Sequence, residues 1–172
     1  MTKGTADVGL LLGSASDWPI LEPAAALLSD WGIKVEVMVA SAHRSPRRVE
    51  RYARQAASRG VKVIIAAAGH AAHLAGVVAG LTTLPVIGVP IPSSDLQGLD
   101  SLLATVQMPP GVPVATMAIG TAGAKNAAIF AAQVLALGDA RLCRRLEEHK
   151  AELEESVGSQ QAKIPETYQP RT

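Results

Sequence analysis

Aromatic side chains are scarce in this chain: two Trp, two Tyr and one Phe make up 3% of its 172 residues. Unstacked bases need aromatic faces to stack on, so the composition excludes a binder of single-stranded nucleic acid. Charge of one sign is missing too. Lys and Arg number 16 against 15 Asp and Glu, a net charge of +1, which leaves no field to draw the chain to nucleic acid or to an anionic membrane. Any anion must be held by local groups. The single cysteine, Cys143, excludes an intramolecular disulfide and a multi-cysteine metal site. The longest apolar stretch, Val77 to Val89, is broken by Gly80, Thr82, Thr83, Pro85 and Gly88, far short of the roughly 20 residues that span a bilayer. Nothing near the amino terminus reads as a secretion signal, so the expected compartment is the cytoplasm.

Several catalytic signatures are absent as well. There is no Gly-x-x-x-x-Gly-Lys-Ser/Thr phosphate loop, no Gly-x-Gly-x-x-Gly in the first turn and no His-Glu-x-x-His. Gly13-Ser14-Ala15-Ser16 lacks the last glycine of a nucleophile elbow, and no acidic cluster stands ready for Mg2+. What remains is a proton-transfer reaction run without a cofactor or a metal.

What the chain does contain is Ala, Val, Leu and Ile, within a hydrophobic fraction of 48%. The length suits one domain with a full core and is too short for two ordinary ones. Apolar runs at Asp7–Leu12, Ile33–Val39, Val61–Ala66, Pro85–Val89 and Val112–Met117 read as strands. Helical spacing separates them, over about Asp17–Trp31, Pro46–Ser58, a segment ending near Leu81, and Leu96–Val106. Two helices follow, Ala122–Leu137 and one N-capped by Asp139 and running to about Val157. Alternating strands and helices imply an α/β, three-layer αβα sandwich around a central parallel sheet, flavodoxin-like, plus a C-terminal helix. Residues 1–157 form the domain and 158–172 a tail, mobile or bound to a partner. On the last helix Leu142, Leu146 and Leu153 share a stripe with His149 between them. That stripe fits packing on its own domain and packing on a neighbouring subunit equally well.

The chemistry gathers in loops that follow strands, where parallel sheets hold their ligands. Gly13-Ser14-Ala15-Ser16-Asp17 offers two hydroxyls, a carboxylate and backbone N–H groups at a helix N-terminus, which suits a phosphate and equally an ordinary Ser/Asp cap. In the loop Ser41-Ala42-His43-Arg44-Ser45-Pro46, Arg44 can fork onto a phosphate and His43 can carry a proton near neutral pH. His73 follows a Gly- and Ala-rich turn that would let a substrate approach the backbone closely. It is read either as substrate-facing or as a hydrogen-bonded structural histidine.

Together with Ala71-Ala72-His73-Leu74, Leu84-Pro85-Val86-Ile87-Gly88-Val89-Pro90, Asp100-Ser101-Leu102-Leu103, Val106-Gln107-Met108-Pro109 and Gly111-Val112-Pro113-Val114-Ala115-Thr116, these loops make the chain resemble the class I PurE family from about Val8 to Leu137. That family is the N5-carboxyaminoimidazole ribonucleotide mutases of de novo purine synthesis. Its third loop usually reads Ala-Gly-Ala-Gly-Gly-Ala-Ala-His-Leu-Pro-Gly-Met, whereas Ala67, His70, Ala75 and Val77 stand here at the second, fifth, tenth and twelfth places. His70 is read as solvent-facing, or else as a second titrating group near the imidazole, and takes no role.

The resemblance implies migration of a carboxylate, as CO2, from the exocyclic nitrogen to ring carbon C4, with His43 as the acid/base. It implies that Ser14 and Arg44 bind the 5′-phosphate, Asp17 the ribose hydroxyls, and Ser41 and His73 the base and carboxylate. Ser16, Ala68 and Gly69 complete the substrate-binding set, and neither metal nor cofactor takes part. It further implies a homo-octamer whose sites use more than one subunit, and a functional link to the ATP-dependent synthetase that makes the carbamate. Two other readings stand beside it: a carboxylase that takes CO2 directly onto aminoimidazole ribonucleotide, and a ribotide-sensing module without turnover.

Overall fold

All five residues of β1 (Val8–Leu12) are buried, as an apolar run flanked by helices on both faces requires. The computed structural model describes residues 5–168. After β1 come α1 (Trp18–Asp30), β2 (Val35–Val39), α2 (Pro46–Ala56), β3 (Val63–Gly69), α3 (Leu74–Ala79), β4 (Val86–Ile91), α4 (Leu99–Val106), β5 (Ala115–Thr116), α5 (Gly120–Ala136) and α6 (Ala140–Gln161). The strands form one sheet in the order β2-β1-β3-β4-β5, every pair parallel, which is the flavodoxin-like order expected from the alternating elements.

Successive side chains of a strand face opposite ways, and the core divides accordingly. Leu10, Leu12, Ile65 and Ile87 pack with α1 and α5 on one face, while Leu11, Ile64 and Ala66 pack with α2 and α3 on the other. Truncating a fully buried leucine such as Leu10 to Ala removes contacts on the order of 2–5 kcal/mol. In α5 the residues turned to the sheet are small, Ala124, Ala127, Ala128, Ala131 and Ala132, all at 0% exposure, so this helix lies close to the strands.

Four of the differences in element boundaries from the sequence reading have a physical reason in the local chain. β3 continues to Gly69 because the Ala-Ala-Ala-Gly run keeps its ladder with β4 through Gly69↔Ile91. α4 begins at Leu99, not Leu96, since Gln97 (φ +52°) and Gly98 (φ +94°) turn the chain just before it. β5 shrinks to two residues: it is an edge strand, and Pro113, just before it, has no N–H to give a ladder. α6 runs four residues past Val157, into the segment read as a tail; positions 169–172 of that tail lie outside the described residues.

Asp139 does cap α6, accepting from the N–H groups of Arg141 (2.9 Å) and Leu142 (3.2 Å). The helix is divided along its length. Leu142 is buried and Leu146 packs on the α1/α5 core, and the His149 ring meets Trp31 edge-on at 5.3 Å. Leu153, the last leucine of the stripe, is 54% exposed. Among the described residues no helix is long and apolar enough to cross a membrane.

The register brings the site together. Leu12 pairs with Val39 on one side and with Ala67 on the other, so β1 and β2 finish level and β3 runs two residues further, to Gly69. Gly13 N–H still donates to Ala67 O at 2.9 Å and Ala40 N–H to Leu12 O at 2.8 Å, so the loops after these strands open over the same edge, at the point where strand order reverses.

Candidate active site

The first loop folds on itself before α1 begins. Ser14 Oγ accepts from Ser16 N–H (3.3 Å) and from Ser16 Oγ–H (2.8 Å), and Asp17 Oδ2 accepts from Ser14 N–H (3.1 Å). This reciprocal capping closes one 3-10 turn over residues 15–17, and Pro19 then fits the first turn of α1, where no N–H is needed. The cap and the candidate binding loop are therefore the same residues.

The second loop is tied by Ser45, whose Oγ accepts from Ser41 N–H (2.9 Å) and donates to Ser41 O (3.1 Å). Arg44 reaches across to the first loop, its Nη2–H donating to Gly13 O at 3.1 Å, while its backbone N–H donates to Ser41 Oγ at 3.2 Å. One side of the guanidinium is thus anchored to the protein, and the remaining N–H groups of its planar fork are available to an anion.

His43 and His73 come from loops 30 residues apart in sequence, yet His43 Nε2 lies 2.9 Å from His73 Nδ1. The rings stand nearly perpendicular, 88° between planes and 5.0 Å between centroids. A hydrogen bond at that distance requires one nitrogen to donate and the other to accept, so the tautomers of the two rings are coupled and each ring orients the other. His73 is thereby placed both as a wall of the cleft and as the partner of His43.

All nine residues singled out from the sequence line one cleft of about 430 Å³: Ser14, Ser16 and Asp17 on one wall, Ser41, His43 and Arg44 on the next, Ala68, Gly69 and His73 on the third. Two roomier hollows exist, about 570 Å³ between β2 and α2 and about 610 Å³ beside the start of α6. Volume does not select the site; only the smaller cleft sits at the carboxyl ends of the strands and holds the imidazole pair. Two polar wall residues had no role assigned from the sequence. His70, read either as solvent-facing or as lying near the imidazole, is exposed and lines the cleft with its Nδ1 2.9 Å from Ser93 Oγ, and Ser93 comes from the loop after β4. The only sequence signal for Ser93 is its position, a hydroxyl directly after a buried strand.

Asp17 is the most buried charged group here, 6% exposed. Burial pushes its carboxyl up from the ordinary aspartate value, opposed by the Ser14 N–H, the Ser16 hydroxyl and the charges of Arg44 and His70. A carboxyl raised in the folded state contributes most stability below its unfolded pKa, and that contribution is lost as pH rises through the folded value. Ionised Asp17 therefore lowers stability at neutral pH. Asp17→Asn is expected to melt higher than the wild type at pH 7, with the gap closing below about pH 4 where both side chains are neutral. A lower melting temperature for Asp17→Asn at pH 7 would contradict this electrostatic account.

Comparison with known proteins gives a consistent result. The AIR carboxylase family model matches residues 7–156. The chain is 51% identical over 150 residues to the N5-carboxyaminoimidazole ribonucleotide mutase of Vibrio parahaemolyticus, covering 87% of this chain and 93% of that one. It is 51% identical over 157 residues to the protein of the same name from Mycobacterium tuberculosis, covering 91% and 89%. The crystal structure of Treponema denticola PurE superposes with a TM-score of 0.82 at 26% identity, over 91% of this chain and 97% of that one.

Proposed function

Because this chain belongs to the AIR carboxylase family, we propose that it converts N5-carboxyaminoimidazole ribonucleotide to 4-carboxy-5-aminoimidazole ribonucleotide in purine biosynthesis, as an isomerase that moves a carboxyl group within one molecule. The observation that carries this reading is the 51% identity to mutases of that name along nearly the full length of both chains.

The cleft is suited to the chemistry. The step begins when the exocyclic nitrogen takes a proton and its bond to the carboxylate carbon breaks, releasing CO2 and aminoimidazole ribonucleotide. Ring carbon C4 then attacks CO2, forming the new C–C bond, and the C4 proton departs to restore the aromatic ring. One proton enters and one leaves, so a single acid/base serves both ends of the reaction. His43 takes that role, with His73 holding its ring. CO2 is small and uncharged and must be kept beside C4 between the steps; the side-chain-poor wall of Ala68 and Gly69 suits this confinement.

Binding follows from the donor and acceptor inventory. Ser14, Ser16 and the free edge of Arg44 take the 5′-phosphate, Asp17 accepts from the ribose hydroxyls, and Ser41 and His73 orient the base and its carboxylate. The carbamate is supplied by an ATP-dependent synthetase, and the cytoplasm is the compartment for both enzymes.

The assembly is a homo-octamer. Supporting this are two apolar surfaces left uncovered by a single chain: Leu99, Leu103 and Val106 along α4, and Leu153 and Val157 on the far half of α6. Sedimentation should show a particle of eight times 17.8 kDa; a monomer would contradict it.

The test of the activity offers N5-carboxyaminoimidazole ribonucleotide without ATP or metal, and in parallel aminoimidazole ribonucleotide with bicarbonate. Fast product from the carbamate alone is the expected result. Product only from the bicarbonate mixture would make the protein a carboxylase, and binding without product from either would make it a ribotide sensor.

A further inference from the structure

His70 and Gln97 are the two non-glycine residues with positive φ among the described residues. At +54°, His70 occupies the left-handed region that a side chain disfavours and glycine adopts freely. Closing the turn after β3 therefore requires no imidazole. A residue held in such a conformation by a neighbouring loop is a candidate for ligand contact, and here the loop after β4 supplies the hold: Ser93 Oγ lies 2.9 Å from His70 Nδ1.

Ser93 is itself seated by Gly69, for a Cβ built on Gly69 would overlap the Ser93 side chain. The absent side chain at 69 admits Ser93, and Ser93 orients His70. In a neutral imidazole whose Nδ1 accepts from the serine hydroxyl, the proton sits on Nε2 and that nitrogen donates. The ring is exposed within the cleft wall, the same cleft that Asp17 lines.

We propose that His70 is a substrate-binding residue, its Nε2–H donating to a sugar hydroxyl oxygen of the ribotide whose own proton is given to Asp17, and that Ser93 is the positioning residue that aims it. The assignment rests on the ribotide reading of the cleft. It adds a sugar-recognition element from the β3 and β4 loops to a set otherwise drawn from the loops after β1, β2 and β3.

His70→Gly, His70→Asn and Ser93→Ala, each in the full chain, test it by melting temperature, by calorimetric affinity for the product ribotide, and by KM and kcat with the carbamate. His70→Gly is expected to melt at or above the wild-type temperature because the backbone strain is relieved. The same variant should bind the product roughly tenfold more weakly, the scale of one lost hydrogen bond, with KM rising by a similar factor and kcat falling far less. His70→Asn, which tolerates the left-handed backbone and keeps an N–H donor, should recover part of the affinity, and Ser93→Ala should weaken binding in the same direction. Unchanged product affinity in His70→Gly would overturn the assignment while leaving the mutase reading intact. A wild type that binds the product but does not turn over the carbamate would overturn the mutase reading, and the affinity comparison would still decide the role of His70. No ribotide binding by the wild type would overturn both.

Discussion

His43→Asn is expected to bind the ribotide about as tightly as the wild type and to lose turnover by a factor on the order of 10² to 10⁴, the usual contribution of a positioned general acid/base. In the proposed reaction one proton must reach the exocyclic nitrogen and one must leave C4. Of the titratable groups lining the cleft, Asp17 is committed to the cap of the first turn, and Arg44 stays protonated at any working pH. His70 is held by Ser93 on the β4 side, which leaves the His43–His73 pair. His43 lies next to Arg44, and His73 lies within hydrogen-bond distance of its Nε2. Asn fills similar space and keeps hydrogen-bonding capacity but cannot shuttle the proton, so the effect should fall on kcat and leave KM near its wild-type value. Near-normal turnover in a folded His43→Asn protein would remove it as the shuttle.

Arg44→Ala is expected to act in the opposite way, weakening ribotide binding roughly 10- to 150-fold, the scale of a charge-assisted hydrogen bond lost. The arginine is exposed but anchored by Gly13 O, so its fork is aimed before the ligand arrives. That preorganisation is what a lysine would lack. Arg44→Lys should restore the charge without the planar geometry and recover only part of the affinity. Titration calorimetry with the product ribotide checks both variants, and unchanged affinity in Arg44→Ala would place the phosphate elsewhere.

The layered fold was legible because five apolar runs alternate with helical periodicity, and each loop ends a run with polar residues. The loops themselves were legible for the same reason, which is why all nine candidate residues come to one cleft. Boundaries failed where composition misleads. Ala67 to Gly69 resemble a loop by propensity yet stay in the ladder with β4, and Leu96 belongs by periodicity to a helix that the backbone at Gln97 and Gly98 delays. The stripe on α6 was ambiguous because it has two halves, one packed and one exposed. Most of what the sequence hid depends on distance in space. The contact between His43 and His73, and the Ser93 hydroxyl that fixes His70, join segments 30 and 23 residues apart, and periodicity carries no record of such a meeting.

In the proposed mechanism the carboxyl carbon moves within one bound ribotide. The most direct measurement supplies the carbamate labelled with ¹³C at its carboxylate, in excess unlabelled bicarbonate, and reads the label in the product's C4 carboxylate over a single turnover. Retention of the label is the predicted result, since CO2 released in the cleft is captured before it escapes. Product carrying unlabelled carboxylate would show capture from solution and contradict the account.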